Sequence, residues 1–280
     1  MVKFSIITIS FNQAQYLNAC IQSVISQNSK LFEYIVVDPG STDESRNIID
    51  QNKNYIQSVV YEKDKGPADG LNKGLAIARG DYLLFINADD ILLPGALNKI
   101  AKLLERHKLP EILLCAGWLI DQNGHPIRRL FSTRFSNWGL VNHRASLFQQ
   151  GMVISRNLFN QIGGFNPENQ TCWDFELLVD SIKNGAKPSI TTSRVAAFRI
   201  HHESISGGHY GTEMDIRFAN DLARIHSKLY PDERPQSHLD ISLVARFEKY
   251  IRTPEILPYI FHDKLLKSMV KRVWAKDILS

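Results

Sequence analysis

The chain has 280 residues, 44% of them hydrophobic and 22% charged, with a formal net charge of +4. That length is enough for one large α/β domain with a substantial core, and the composition excludes a disordered or low-complexity chain. The positive charge is too small to imply nucleic-acid binding, though it suits a protein that handles phosphates or rests against an anionic membrane.

The first twelve residues, MVKFSIITISFN, hold one lysine and a short apolar run broken by serine and threonine. They read as a first strand, Phe4 to Ile9, rather than as a signal peptide. Asn12 to Gln27 then carries Tyr16, Leu17, Cys20, Ile21, Val24 and Ile25 at helical spacing. Phe32 to Val37 (FEYIVV) reads as a second strand, followed by Asp38-Pro39-Gly40-Ser41-Thr42-Asp43, where Ser41 or Thr42 is expected to cap a helix running through Ile49. Ser58 to Glu62 reads as a third strand, and Ala68 to Ala78 as a helix closed by Gly80. The stretch GDYLLFINADD comes next, its apolar run Tyr82 to Ile86 matching a strand buried on both faces of a parallel sheet. A helix from about Gly95 to His107 completes this half.

Beyond His107 the pattern loosens. Glu111 to Ile120 reads as a strand, Gly124-His125-Pro126 as a turn, and Arg128 to Phe148 as a mixed aromatic and basic segment. Phe175 to Lys183 reads as a helix, Val195 to Ile200 as a strand, and the chain from Glu213 onward as largely helical. No stretch approaches the roughly 20 apolar residues of a spanning helix. Cys20, Cys115 and Cys172 are odd in number and form no CxxC pair, so neither a disulfide framework nor a thiolate zinc site is expected, and a reducing cytoplasm is.

Strand and helix alternate, which implies a doubly wound, mostly parallel sheet whose ligands bind at the carboxyl ends of its strands. Asp38, Asp64, Asp89 and Asp90 all fall just past predicted strands. Adjacent carboxylates repel unless solvent or a cation separates them, and Mg2+ or Mn2+ takes one or two carboxylates together with phosphate and water. The plainer alternative is a solvated strand end with Asp90 capping the next helix. Neither GxGxxG nor GxxxxGK[ST] occurs, so a diphosphate held here would depend on such a cation.

SIITISFNQAQYL, YIVVDPGSTDES, DKGPADGLNKGLAIARGDYLLFINADD, GGF and WDFELLVD stand in the order of family 2 glycosyltransferases, inverting enzymes of the GT-A fold that use nucleotide-sugar donors. The resemblance spans about Lys3 to Ser206. It implies a GT-A-like, Rossmann-like fold: a mostly parallel central sheet flanked by helices, with a helical C-terminal extension. The implied organisation is a catalytic domain over 1–210, divided into a nucleotide-sugar half (1–107) and an acceptor half (108–210), and a helical extension over 211–280.

The resemblance also implies site residues. Ile9, Phe11, Asp38, Asp64, Asp69, Lys73, Asn87, Asp89 and Arg199 fall where relatives bind the nucleotide-sugar, with Pro39 standing where many have a second acid. FINADD resembles the family's DxD-type element, with Asn87 in place of an aspartate; Asp89, Asp90 and His201 are the implied ligands of Mn2+ or Mg2+. Asp174 is the implied catalytic base, with Glu176 as the alternative, and Gly163-Gly164-Phe165 and Trp173 are expected around the acceptor. Each has a structural alternative: turn formation for Asp38, a solvated helix lysine for Lys73, dipole stabilisation for Asp174, and core packing for Trp173.

The expected activity is inverting, metal-dependent transfer of a sugar from a nucleotide-sugar to the hydroxyl of a saccharide or lipid-linked saccharide, in bacterial surface polysaccharide or lipopolysaccharide synthesis. No nucleic-acid partner is expected. Two rivals are a metal-dependent nucleotidyltransferase, whose usual glycine- and arginine-rich N-terminal loop is absent, and a non-catalytic sugar-nucleotide-binding module. HDKLLKSMVKRVWAKDIL, near the C-terminus, reads as a basic amphipathic helix that either lies on the inner face of the cell membrane or packs on the catalytic domain.

Overall fold

A computed structural model describes residues 2–134, 146–202 and 213–231. Its first half follows the alternation read above: β1 (Phe4–Ile9), α1 (Ala14–Ile25), β2 (Phe32–Val37), α2 (Ser45–Gln51), β3 (Ser58–Val60), α3 (Pro67–Ala76) and β4 (Tyr82–Asn87). A two-residue β5 (Ile91–Leu92) and α4 (Ala96–Arg106) follow. The second half contains β6 (Ile112–Ile120), β7 (Pro126–Leu130), β8 (Met152–Ser155), α5 (Arg156–Gln161), α6 (Trp173–Lys183), β9 (Ser189–Arg199) and α7 (Glu213–Leu229). The basic amphipathic segment near the C-terminus, and with it most of the expected 211–280 extension, lies outside the described residues.

The strands form one sheet in the order β3-β2-β1-β4-β8-β6-β9-β5, with β7 on β6. β1, β2, β3 and β4 pair in parallel, and Ile9 stands level with both Val37 and Asn87. β8 is antiparallel to both β4 and β6, and β9 is parallel to β6. Two reversals restore the direction. The carboxyl ends of β1, β2, β3, β4, β6 and β9 therefore all open on one edge of the sheet, and the residues entering β8 arrive at that same edge.

Largely apolar strands follow from burial on both faces. Phe4, Ile6, Tyr34, Val36, Leu84 and Ile86 pack with Leu17 and Ile21 of α1 and Leu97, Ile100 and Leu104 of α4. Their sequence neighbours Ile7, Ile35, Val37, Leu83 and Phe85 pack on the other face with Leu71 and Leu75 of α3 and Leu177 and Leu178 of α6. Gly80 is required at the foot of β4, because a Cβ there would meet the backbone nitrogen of Ser5 at 2.4 Å. The three cysteines are buried and unbridged, and burial pushes each thiol up to about 12.

Two local expectations are corrected. α2 begins at Ser45, not directly after Ser41 or Thr42, since it is Asp43 that accepts from the Ser45 N–H at 3.0 Å. The same carboxylate accepts from the Ala14 N–H at 2.9 Å, tying α2 to the start of α1, while Thr42 N–H donates to Asn12 Oδ1 at 2.8 Å. α6 starts two residues earlier than expected, at Trp173, which brings Asp174 into its first turn.

Candidate active site

A cavity of about 990 Å³ opens along this carboxyl edge, at the upper end of the roughly 300–1,000 Å³ common for ligand sites. One wall comes from the parallel strands: Ile9 and Phe11 after β1, Pro39 and Gly40 after β2, Lys63 and Asp64 after β3, and Asn87, Ala88 and Asp89 after β4. The other wall includes Thr171, Trp173 and Asp174 at the N-terminus of α6 and Gln149 and Gln150 before β8. Leu119 and Phe198, near the ends of β6 and β9, close it. Most of these residues are distant in sequence, and the shared strand direction gathers them.

Asp64 is held by a turn in which its Oδ1 accepts from Gly66 N–H at 3.1 Å. Its Oδ2 is buried without a hydrogen-bond partner. Desolvation, with a smaller contribution from the Asp69 charge, raises its pKa above the ordinary carboxylate value. Gly70 makes room for that carboxylate: a Cβ at residue 70 would lie 2.4 Å from Asp64 Oδ2. The indole Nε1 of Trp173, another lining residue, is also buried without a partner. Buried polar atoms are almost always paired, so these two orphans on lining residues mark places where a bound polar ligand would complete them.

Asp89 faces the cavity, and His201 Nε2 lies 3.0 Å from its Oδ2. His201 is itself buried, with its ring 4.7 Å from Tyr16. Asp90 turns the other way. Its carboxylate is fully buried and accepts from Arg199 N–H at 2.9 Å, Gln150 Nε2 at 2.7 Å and Asn87 Nδ2 at 3.1 Å. Burial, helped by the neighbouring Asp89 charge, pushes its pKa well above the ordinary value. Asp90 therefore braces the strand end, and direct metal coordination by it, as the FINADD resemblance implied, is not what this geometry provides. Asp89 with His201 offers a carboxylate oxygen and an imidazole nitrogen, donors that suit Mn2+ or Mg2+ when phosphate and water complete the shell. Among the described residues no group of three or more His, Cys, Asp or Glu side chains forms a metal cluster.

Asp174 sits on the opposite wall, and desolvation raises its pKa to about 6 against partial relief from the Phe175 N–H and its own. A carboxylate there is ionised at neutral pH yet basic enough to accept a proton from a hydroxyl. Glu176, the alternative base, points away from the cavity. Burial alone would raise its pKa, but Arg224 and Lys228 of α7, with Asn166 and Asn169, hold it down at about 2. Arg224 Nη2 lies 3.0 Å and Lys228 Nζ 2.7 Å from its oxygens. A group so acidic and so fully paired serves as an anchor, not a base.

Several other implied site residues are placed elsewhere. Arg199 is buried, donating to the carbonyls of Asp89, Asp121 and Gln122 at 2.8, 3.2 and 3.1 Å, so its guanidinium is not turned to a phosphate. The Lys73 ammonium bonds the Lys63 carbonyl and sits 3.6 Å from Asp69; Lys63 is the lysine on the wall. Asp69 accepts from Lys65 N–H at 3.0 Å and does not line the cavity. Asp38 is fully buried between the rim residues Pro39 and Gly40 and α2; its Oδ1 takes Gly40 and Ser41 N–H at 3.0 and 2.8 Å, while its Oδ2, like that of Asp64, is buried without a hydrogen-bond partner. Phe165 is a core residue 5.0 Å from Phe85, and Gly164 (φ +81°) is the left-handed turn before it. Neither lines the cavity. Asn72 fixes that turn by accepting Phe165 N–H at 3.0 Å and donating to its carbonyl at 2.8 Å.

Lys63, Gln149, Gln150 and Asp221 escaped the sequence reading. Asp221 of α7 accepts from Gln170 N–H, Thr171 N–H and Thr171 Oγ1 at 3.0, 3.0 and 2.6 Å, fixing the loop that enters α6. No motif marks these residues: Gln149, Gln150 and Asp221 act through partners at least fifty positions away, and Lys63 is set on the wall by the end of β3.

Residues 5–162 match the protein family described as glycosyl transferase family 2. The chain is 32% identical over 259 residues, 89% of its length and 92% of the relative's, to a PGL/p-HBAD biosynthesis glycosyltransferase of Mycobacterium tuberculosis. It is 33% identical to an uncharacterised glycosyltransferase of Nostoc, over 80% of this chain and 77% of that protein. Among solved structures, S. aureus TarS 1–349 with UDP-GlcNAc superposes with a TM-score of 0.66 at 18% identity, covering 84% of this chain and 68% of that one. The mannosyltransferase PcManGT of Pyrobaculum calidifontis, in complex with GDP-Man and Mn2+, gives 0.61 at 16% identity, covering 99% and 80%. These two share the fold, a GT-A-like α/β architecture.

Proposed function

Because the chain belongs to glycosyl transferase family 2, we propose that this glycosyltransferase takes its sugar from a nucleotide-sugar and transfers it, with inversion, to an acceptor hydroxyl deprotonated by Asp174. The observation that carries the reading is the pairing across one cavity of Asp64 and Asp89 on the strand wall with Asp174, at a pKa of about 6, on the α6 wall. The strand wall is the donor side. Asp64 Oδ2 lacks a donor, and a hydroxyl or N–H of the nucleoside would supply one. Lys63 lies on the same wall as a counter-charge for phosphate.

Asp174 then receives the acceptor proton as the acceptor oxygen attacks the anomeric carbon from the face opposite the leaving group. The new C–O bond forms as the sugar–phosphate bond breaks, and its electron pair leaves with the nucleoside diphosphate. This is the base half of an inverting hydrolase scheme with a sugar hydroxyl in place of water, and the base contributes about 10²–10⁴-fold. A divalent ion held by Asp89 and His201 would neutralise charge on the departing diphosphate, which makes a separate general acid dispensable. Mn2+ or Mg2+ is thus the inferred cofactor, and the complex of PcManGT with GDP-Man and Mn2+ is consistent with both donor and metal.

The inferred acceptor is a saccharide or lipid-linked saccharide of a bacterial surface polysaccharide or lipopolysaccharide, handled in the cytoplasm. No helix among the described residues is long and apolar enough to cross a membrane. The test is calorimetry of UDP- and GDP-sugars with Mn2+, then with chelator. Wild type is expected to bind one nucleotide only with the metal, and Asp89→Ala to lose that dependence. Equal affinity with and without Mn2+ in wild type would contradict the metal site.

A further inference from the structure

A second, smaller pocket of about 280 Å³ lies away from the active-site cavity, lined by Lys99, Arg129, Phe131, Thr192, Ser193 and Arg194. β7 is the shared wall. Its side chains alternate, so Arg128 and Leu130 line the catalytic cavity while Arg129, and Phe131 just past the strand, line the other pocket. β6 and β9 complete the arrangement: Trp118 stands directly opposite Arg129 across β6 and β7, and Ala116 opposite Arg194 across β6 and β9.

Both guanidiniums lie over the same indole, Arg129 at 5.5 Å and Arg194 at 5.0 Å from the Trp118 ring. Lys99 of α4 donates to the Arg194 carbonyl at 3.1 Å, which holds its ammonium beside them. Three cations and two hydroxyl side chains converge on one small opening whose described lining includes no carboxylate. Among the described residues neither Lys99 nor Arg194 has an acid within ion-pair distance. Lys102 and Arg106 extend the positive face along α4, three and seven residues beyond Lys99, with Glu105 the acid on that helix. Lys99 and Arg194, held side by side, repel in an empty site and are stabilised around an anion. A tetrahedral oxyanion suits it well, because a guanidinium donates two parallel N–H bonds and serine and threonine hydroxyls supply further donors.

We propose that Lys99, Arg129 and Arg194, with Thr192 and Ser193, form a phosphate-binding site separate from the catalytic cavity, for a phosphate group borne by an anionic lipid headgroup or a soluble phosphate. This inference does not depend on the donor or the base assigned above.

The experiment uses the whole chain without divalent metal, to keep nucleotide-site chemistry out of the readout. One arm titrates inorganic phosphate and glycerol 3-phosphate by calorimetry. The other measures co-sedimentation with vesicles of phosphatidylcholine containing a quarter phosphatidylglycerol, against phosphatidylcholine alone. Wild type is expected to bind in at least one arm, Arg129→Gln/Arg194→Gln to bind roughly 10- to 30-fold more weakly there, and exposed Lys99→Gln to show a smaller loss at an unchanged melting temperature. Binding confined to the anionic vesicles assigns the site to lipid, and binding in the soluble arm assigns it to free phosphate. The proposal is overturned if wild type binds in neither arm, or if Lys99→Gln and Arg194→Gln bind as wild type does. The single variants decide the matter if the double variant does not fold.

Discussion

Replacing Asp174 by Asn separates the two consequences of its setting. The side chain keeps its shape and its acceptor oxygen for the Phe175 N–H, but loses both basicity and charge. Under the proposed function, removing this general base costs about 10²–10⁴-fold in kcat, with donor affinity expected to stay unchanged. Stability moves the opposite way. The carboxyl titrates at about 6 in the folded chain against an ordinary 3.8, so the folded state binds its proton more tightly and ionisation opposes folding. The interval corresponds to about 3 kcal/mol, an upper figure because one side of the group faces the cavity. The variant should therefore be more stable than wild type above pH 6, by about 1–3 kcal/mol. That advantage shrinks as pH falls from 6 towards 3.8, where wild-type Asp174 becomes protonated. Urea denaturation at pH 8 and pH 4, beside single-turnover transfer assays, measures both effects. The wild-type rate should also rise with pH through about 6 and then level. Undiminished turnover in the variant, or a variant less stable at pH 8 than wild type, would refute the assignment.

The anchor at Glu176 has the opposite sign. Its pKa is depressed from 4.5 to about 2, so its stabilisation is present above pH 4.5 and is lost as pH falls towards 2. Glu176→Gln should cost about 2–4 kcal/mol at pH 7 and flatten the acid limb of a stability–pH curve. An unchanged curve would place the α6–α7 contact outside the stabilising core. Arg199→Ala strips donors from the Asp89, Asp121 and Gln122 carbonyls and should lower stability by about 2–4 kcal/mol in urea denaturation; the same stability with weaker diphosphate binding would return Arg199 to the phosphate. Gly70→Ala pushes against Asp64 Oδ2 and Ile9 Cδ1. It should weaken nucleotide binding about tenfold while costing about 1–2 kcal/mol of stability, and unaltered nucleotide affinity would remove Asp64 from the donor site.

Much of this architecture was legible in one dimension. FSIITI, FEYIVV and YLLFIN advertise strands buried on both faces because apolar side chains occupy both alternating sets of positions, with Ser5, Thr8 and Glu33 as the polar interruptions, and the acids after β2 and β4 mark where those two strands stop. β8 was not legible. MVIS is too short to show a period, yet its two antiparallel pairings turn the second half of the sheet so that β6 and β9 face the same edge as β1 and β4. The acids themselves illustrate the limit. Asp89 and Asp90 are neighbours of one residue type, and the turn after β4 sends one to the cavity and the other into a nest of Arg199, Gln150 and Asn87.

The order of elements, the two-sided burial of the strands and the clustering of carboxylates at their ends were settled by local pattern, since apolar periodicity and strand-end chemistry are properties of adjacent residues. Which carboxylate meets a ligand, which lysine lines the wall, and why Asp174 is basic while Glu176 is not were decided only by the packed chain. Those outcomes depend on desolvation and on donors such as Arg224 and Lys228, which approach Glu176 from a helix about fifty residues away.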